Sequence, residues 1–261
     1  MNLGLNGRRA LVLGASRGLG AAIAASLAAE GVQVFAAARS PEGVDAWRAE
    51  LPDEQAARIV ALQVDLADLA SVQGLANLLI EGGGVDILVN NGGGPPAGAA
   101  RDQLAAAWES SFRSMASHLF ELTARLLPAM AEKGWGRVIT VGSSGIQQPI
   151  PNLALSNGIR TAVLGWSKTL ASEVAAQGIT VNMVLPGRIH TDRVDQLDAG
   201  AAQRQGKSVE EIAAASRAGI PAGRYGRPEE FANVVTFLAS EAASYVTGST
   251  LRVDGGLIRS N

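Results

Sequence analysis

The chain has 261 residues, 47% of them hydrophobic and 18% charged, enough apolar material for one large α/β domain or two small ones. Its net charge of −2 argues against a nucleic-acid or acidic-membrane partner. Cysteine is absent, so thiol catalysis, disulfides and a cysteine-ligated zinc site are excluded, in keeping with a reducing cytosol.

In chain order, Met1 to Arg9 lack the apolar core of a signal peptide, and no run of 18 apolar residues follows. A cytoplasmic chain with no membrane span and no metal is expected. Strand-like apolar runs fall near 9–13, 32–38, 58–63, 86–90, 136–142, 179–185 and 250–253. Helical stretches lie between them, near 18–30, 68–80, 101–131, 153–177 and 228–239. This alternation implies a parallel sheet of seven strands with helices on both faces. No second composition regime or repeat interrupts it, so a single domain over 1–261 is expected. The segment 192–226 is polar and rich in Ala and Gly. Placed after the sixth strand, it would sit above the strand C-termini and reads as a mobile substrate lid, or else as an inert surface excursion.

After the first strand comes Gly14-Ala15-Ser16-Arg17-Gly18-Leu19-Gly20, opening an alanine-rich helix. Gly14 allows a tight turn, Gly18 lets backbone approach a pyrophosphate, and Gly20 lets helix and strand pack closely. The helix N-terminus then offers free N–H groups to phosphates. An ordinary glycine turn is the plain alternative, since one glycine motif is a weak signal. The second strand ends in Ala38-Arg39-Ser40, with no acidic residue to take the ribose hydroxyls. Arg39 and Arg17 together favour a 2′-phosphate, hence NADP over NAD, although each alone reads as a solvated charge. Asp65, after the third strand, suits an adenine amino group or the N-cap of the next helix. Asn90-Asn91-Gly92-Gly93-Gly94 ends the fourth strand with glycines that let the chain pass close to a cofactor.

With these pieces in hand, the chain resembles the classical short-chain dehydrogenase/reductase family over nearly its full length. The resemblance rests on Gly14-x-x-x-Gly18-x-Gly20, Val64-Asp65-Leu66, Asn90-Asn91-Gly92-Gly93 and Ser143. It rests further on Val181-Asn182-x-x-x-Pro186-Gly187-x-x-x-Thr191-Asp192, Gly226-x-Pro228-Glu229-Glu230, Tyr245-Val246-Thr247-Gly248 and Val253-Asp254-Gly255-Gly256. It implies a single-domain Rossmann fold, a nicotinamide cofactor and a homodimer or homotetramer. It places cofactor contacts at Gly14, Ser16, Arg17, Gly18, Leu19, Gly20, Arg39, Asp65, Leu66, Asn91, Gly92, Arg160, Pro186, Gly187, Ile189 and Thr191.

The resemblance also implies a catalytic tyrosine thirteen residues after the serine, a lysine four residues later and an asparagine on the preceding helix. Here Ser143 is present, but Ser156 holds the tyrosine position, Arg160 the lysine position and Met115 the asparagine position. An alkyl hydroxyl is a far weaker acid than a phenol of pKa near 10, and a guanidinium does not titrate as a relay. Halohydrin dehalogenases keep the tyrosine and lose the glycine turn, the reverse of this chain. Enoyl reductases space tyrosine and lysine more widely, but no tyrosine lies between Ser143 and Arg160. Tyr225, Tyr245, His118 and His190 are the remaining titrating candidates, each better read as structural or surface residues, and Arg188 is a candidate for an acidic substrate. Two readings result. One is an NADP(H)-dependent oxidoreductase reducing a ketone, 3-oxoacyl-like, through Ser143, Ser156 and Arg160 with altered proton delivery. The other is an inactive NADP-binding sensor or structural subunit.

Overall fold

The computed structural model describes residues 2–260. In chain order the elements are β1 (Arg9–Leu13), α1 (Gly18–Ala29), β2 (Gln33–Ala38), α2 (Glu42–Arg48), α3 (Asp53–Ala56), β3 (Ile59–Gln63), α4 (Leu69–Glu81) and β4 (Ile87–Asn90). There follow α5 (Ala105–Phe112), α6 (His118–Glu132), β5 (Gly136–Val141), α7 (Ala154–Val174), β6 (Ile179–Pro186), α8 (Asp192–Gln205), α9 (Val209–Ala218), α10 (Pro228–Leu238) and β7 (Thr250–Val253).

The strands form one parallel sheet in the order β3-β2-β1-β4-β5-β6-β7. Because side chains alternate across a strand, Ala10 and Val12 face one layer and Leu11 and Leu13 the other. The first layer is closed by Ile23 and Leu27 of α1 with Phe231 and Val235 of α10. The second is closed by Leu75 and Leu79 of α4, Leu122 and Leu126 of α6, and Leu170 of α7. Each large apolar side chain fully removed from water contributes about 1.5–3 kcal/mol, so these two layers drive the fold. With both faces covered, β5 is buried along its whole length, which suits its apolar Val138, Ile139 and Val141. The chain winds from β1 outward to β3, then returns to β4 and winds the other way. That reversal opens a crevice beyond the C-terminal ends of β1 and β4, the place where such sheets bind ligands.

Two expected elements differ. The single helix over 101–131 is divided: a short 3₁₀ turn at Ala100–Asp102, then α5, then a π-helical turn at Arg113–Ser117, then α6. Ser114 and Ser117 donate their hydroxyls back to carbonyls of Ser110, Ser111 and Arg113, local bonds that compete with regular helix spacing. The polar segment 192–226 contains α8 and α9. α9 starts from a capping box, in which Ser208 Oγ accepts from Glu211 N and Glu211 accepts from Ser208 N.

Candidate active site

The glycine turn after β1 is shaped by what cannot fit there. Gly14 and Gly18 take φ of +62° and +59°, the left-handed region that favours glycine. A Cβ on Gly14 would lie 2.4 Å from the Asn91 carbonyl oxygen, and one on Gly20 only 2.2 Å from the Gly14 oxygen. Asn91 Nδ2 donates to Leu13 O at 3.1 Å, tying the end of β4 to the turn. The N-terminus of α1 has no side-chain cap and no acid in its first turn. Its orphan N–H groups and positive dipole end are therefore available to an anion. These features fit the pyrophosphate of a dinucleotide, with Ser16, Arg17, Gly18 and Leu19 as its cradle.

At the end of β2, Arg39 is exposed, and Gln63 Nε2 donates to its carbonyl at 3.3 Å. Arg17 is also exposed, but its Nη1 pairs with Asp192 Oδ2 at 3.0 Å, at the start of α8. Of the two roles expected for Asp65, the helix cap is taken by Asp68, whose carboxylate accepts from Ala70 N at 3.0 Å. Asp65 Oδ1 accepts from Ala67 N at 2.9 Å and the side chain stays exposed at the crevice edge. Leu66 packs behind it, its carbonyl 2.7 Å from His118 Nδ1.

Across the crevice, β5 runs into Gly142 and Ser143. Ser143 Oγ accepts from Gly145 N at 3.1 Å, folding a tight turn. That turn lies on the first turn of α7, since a Cβ on Gly145 would be 2.4 Å from Asn157 Oδ1. Ser156 and Arg160 follow on one face of α7, four residues apart. Ser156 is buried. Arg160 keeps part of its surface open, and its Nη1 donates back to Val141 O at 2.8 Å. Ser143, Ser156 and Arg160 are thus gathered at the end of β5. Burial, with repulsion from Arg193, lowers the Arg160 guanidinium to about 10, so it remains a cation at neutral pH.

Arg160 also lines a small cavity with Asn90, Gly92, Met115, Thr140 and Met183. Asn90 Oδ1 and Thr140 Oγ1 are buried there without a protein partner among the described residues, leaving hydrogen-bonding capacity for a bound group. Met115, buried on the π-helical turn, closes the wall where a polar relay residue is expected from the resemblance. The loop after β6 completes the crevice. Pro186 ends the strand, Gly187 passes so close to Asp254 that a Cβ would lie 2.6 Å from its Cα, and Ile189 is buried. Thr191 leads into α8 opposite Gly18.

The other titrating candidates lie apart from this cluster. His118 is buried, its Nδ1 bound to the Leu66 carbonyl. His190 is exposed, 3.6 Å from Asp195. Tyr245 is fully exposed. Arg188 Nη1 pairs with buried Asp198 at 2.9 Å. Tyr225 donates its phenol to the same carboxylate at 2.6 Å, and burial and then that bond raise its pKa. Sequence reasoning missed Asp198 as the post that anchors α8, and Asn157, which binds the Ile150 peptide through both amide atoms. It also missed Arg193, whose Nη2 donates to Pro95 O at 3.2 Å. Each of these partnerships joins residues with no local motif to announce them. Among the described residues, no group of three or more His, Cys, Asp or Glu is placed to hold a metal, and no helix is long and apolar enough to cross a membrane.

Comparison with known proteins agrees with this geometry. A family model described as enoyl-(acyl carrier protein) reductase matches residues 14–258. The 3-oxoacyl-[acyl-carrier-protein] reductase of Escherichia coli (strain K12) is 39% identical over 263 aligned positions, covering 98% of this chain and 99% of that protein. L-sorbose reductase from Gluconobacter frateurii, solved with NADPH and L-sorbose, superposes with a TM-score of 0.93 at 30% identity, covering all of both chains. Actinorhodin polyketide ketoreductase, solved with NADPH, superposes with a TM-score of 0.89 at 33% identity, covering 96% of this chain and 97% of that one. From the glycine turn to the last strand, therefore, the chain belongs to the classical short-chain dehydrogenase/reductase family.

Proposed function

We propose that the chain is an NADP(H)-dependent oxidoreductase that reduces a ketone, 3-oxoacyl-like, with altered proton delivery. The observation that carries this reading is the gathering of Ser143, Ser156 and Arg160 at the end of β5, across the crevice from the glycine turn. Relatives named for ketone reduction and solved with NADPH support it. Arg17 and Arg39, with no carboxylate at the end of β2, support NADP over NAD. The bound nicotinamide would supply hydride.

The chain's own residues then have defined tasks. Gly145 N–H already donates to Ser143 Oγ, so the Ser143 hydroxyl is free to donate to a substrate oxygen. Arg160 holds fixed positive charge near that oxygen and the ribose, and stabilises the alkoxide as it develops. It keeps its own proton, so water delivers the last one. A missing general acid costs about 10²–10⁴ in rate, while a retained oxyanion contact keeps about 10²–10³, so turnover is slow but real. In this reading 192–226 is the substrate lid, Thr191 and Ile189 at its root contact the cofactor, and the protein works as a cytoplasmic homodimer or homotetramer.

The second reading, an NADP-binding sensor or structural subunit, is favoured by the placement of both phenols. Tyr225 is committed to Asp198, and Tyr245 stands in solvent. Two measurements separate the readings. Calorimetric titration is expected to show NADPH binding at least about tenfold tighter than NADH. Ser156→Tyr with Arg160→Lys is expected to raise single-turnover ketone reduction by about 10²-fold or more. Binding of neither nucleotide sinks the reductase reading. Tight NADPH binding with no reduction of any ketone, repaired or not, establishes the sensor.

A further inference from the structure

Two guanidinium groups overlook the reacting end of the crevice, and neither pairs with a carboxylate among the described residues. Arg160 rises from α7, and its recorded protein acceptor is the Val141 carbonyl. It lines its cavity beside Gly92 and Gly93, and another cation, Arg193, stands over the next residue, Gly94. Arg193 stands in the first turn of α8 and reaches across to the loop after β4. There its Nη2 donates to Pro95 O, 3.2 Å from where a Cβ on Gly94 would sit.

The nearby acids are committed elsewhere. Asp192 pairs with Arg17, Asp195 faces His190, and Asp198 holds Arg188 and Tyr225. A guanidinium offers five N–H donors, and these two show one protein acceptor apiece among the described residues. Two like charges aimed at one crevice repel each other, and that cost is recovered only when an anion lies between them.

We propose that Arg160 and Arg193 together bind the carboxylate of an oxo-acid substrate, with its ketone carbon beside Ser143 and Ser156. The proposal rests on the reductase reading and names the class of substrate for that site. The planar fork of a guanidinium matches a carboxylate in geometry as well as charge, and two forks fix its orientation. This also explains why an arginine suits position 160, where the site lacks a phenol: the anionic partner comes with the substrate.

The cofactor's pyrophosphate is the other oxyanion in the crevice, and position separates it from Arg160. The glycine turn follows β1, whereas Arg160 is tied to the end of β5, two strands away in the sheet. At about 4.8 Å per strand that sets Arg160 roughly 10 Å sideways from the pyrophosphate cradle, whereas Arg193 follows Thr191, which lies beside Gly18, so the anion that Arg193 serves is decided by the test below.

The test titrates NADP⁺-saturated protein calorimetrically with acetoacetate and 4-oxopentanoate, and with their methyl esters. The acids are expected to bind at least about tenfold tighter than the esters. Arg193→Ala, on the exposed side of α8, should reduce that preference below about threefold, and Arg193→Lys should restore part of it. NADPH affinity should move less than about threefold in both variants. Equal binding of acid and ester overturns the proposal. So does an Arg193→Ala protein that keeps the acid preference but loses NADPH affinity, because the pyrophosphate is then the anion that Arg193 serves. Failure to bind NADP(H) at all overturns the reductase reading instead, and the same acid–ester titration on nucleotide-free protein still decides the anion site.

Discussion

The two walls of the crevice are built on different principles. On the β1 side the candidate binding groups are backbone: free N–H groups of α1, two glycines, Gly14 and Gly20, held where no Cβ fits, and a third, Gly18, at a left-handed φ. On the β5 side the candidate groups are side chains: Ser143 and Arg160, each held by a bond to main chain, and Ser156, buried one turn before Arg160 on α7. A backbone wall tolerates change at most side chains and almost none at its glycines. A side-chain wall can exchange a phenol for a hydroxyl and a lysine for an arginine while its backbone stays in place. This difference fits the resemblance, which matches closely on the glycine turn and leaves Ser156, Arg160 and Met115 where it implies a tyrosine, a lysine and an asparagine.

The sharpest way to break the comparison is to add a single methyl group to each kind of place. In Gly20→Ala the new Cβ would sit 2.2 Å from Gly14 O and 2.8 Å from Asn91 Nδ2, so backbone must move. We expect NADPH affinity to fall by about 100-fold or more and stability by about 1–3 kcal/mol, read by calorimetry and thermal melting. Gly74→Ala, on the exposed face of α4 away from the crevice, is the control. Its Cβ meets nothing within 4 Å and its φ is not in the left-handed region, so both readings should stay near the parent. Equal losses in the two variants would mean that the turn is not read through its backbone.

A smaller effect is expected from the post behind the side-chain wall. Asp198→Asn leaves Arg188 without its ion pair and changes the partner of the Tyr225 phenol. Because Arg188 is about one-third exposed (32%), the loss should be nearer 2 kcal/mol than the value for a fully buried pair. The phenol adds a pH dependence with a definite sign. Its folded pKa is raised above the ordinary value of 10, first by burial and then by Asp198. Stability from this group is therefore complete below pH about 10 and declines above it, where the unfolded chain ionises first. Alkaline melting curves should lose that decline in Tyr225→Phe. An unchanged curve would show that the phenol is not held by α8.

What could be read from sequence follows the same division. Seven strand runs were legible because a sheet covered on both faces demands largely apolar segments, as in Ile87 to Val89 and Val181 to Leu185 around Asn182. Gly14, Gly18 and Gly20 were legible because few residues survive at such positions. Ser156 and Arg160 could be named by their distance from Gly142-Ser143 and from Val181-Asn182. That Arg160 turns back to the Val141 carbonyl could not, since this is a choice among rotamers made by packing. The break at 113–117 was hidden because Ser114 and Ser117 have ordinary places in a helical pattern until their hydroxyls take main-chain carbonyls. α8 and α9 were hidden in a polar segment whose few buried residues, such as Val194 and Ile212, carry too little periodicity to show helix. Arg17 and Asp192 meet across 175 positions of sequence, a distance no local motif spans.

That last pair joins the two walls, and it supplies the finest test. Arg17 stands in the glycine turn and Asp192 begins α8, so their contact at 3.0 Å straps α8 to the glycine turn. In the NADP reading the 2′-phosphate seeks the same guanidinium, and Asp192 competes with it. Both side chains are mostly exposed, at 70% and 64%, so the strap is weak and salt will weaken it further. Asp192→Asn should then raise NADPH affinity by about threefold at low ionic strength, leave NADH unchanged, and lose its effect in high salt. If the carboxylate acts instead by holding α8 over the dinucleotide, the same substitution lowers both affinities together. Arg17→Ala distinguishes the two at once. Competition predicts that Asp192→Asn has no further effect on NADPH in that background and that NADPH alone is weakened by losing Arg17, whereas a strap predicts equal losses for both nucleotides from either side of the pair.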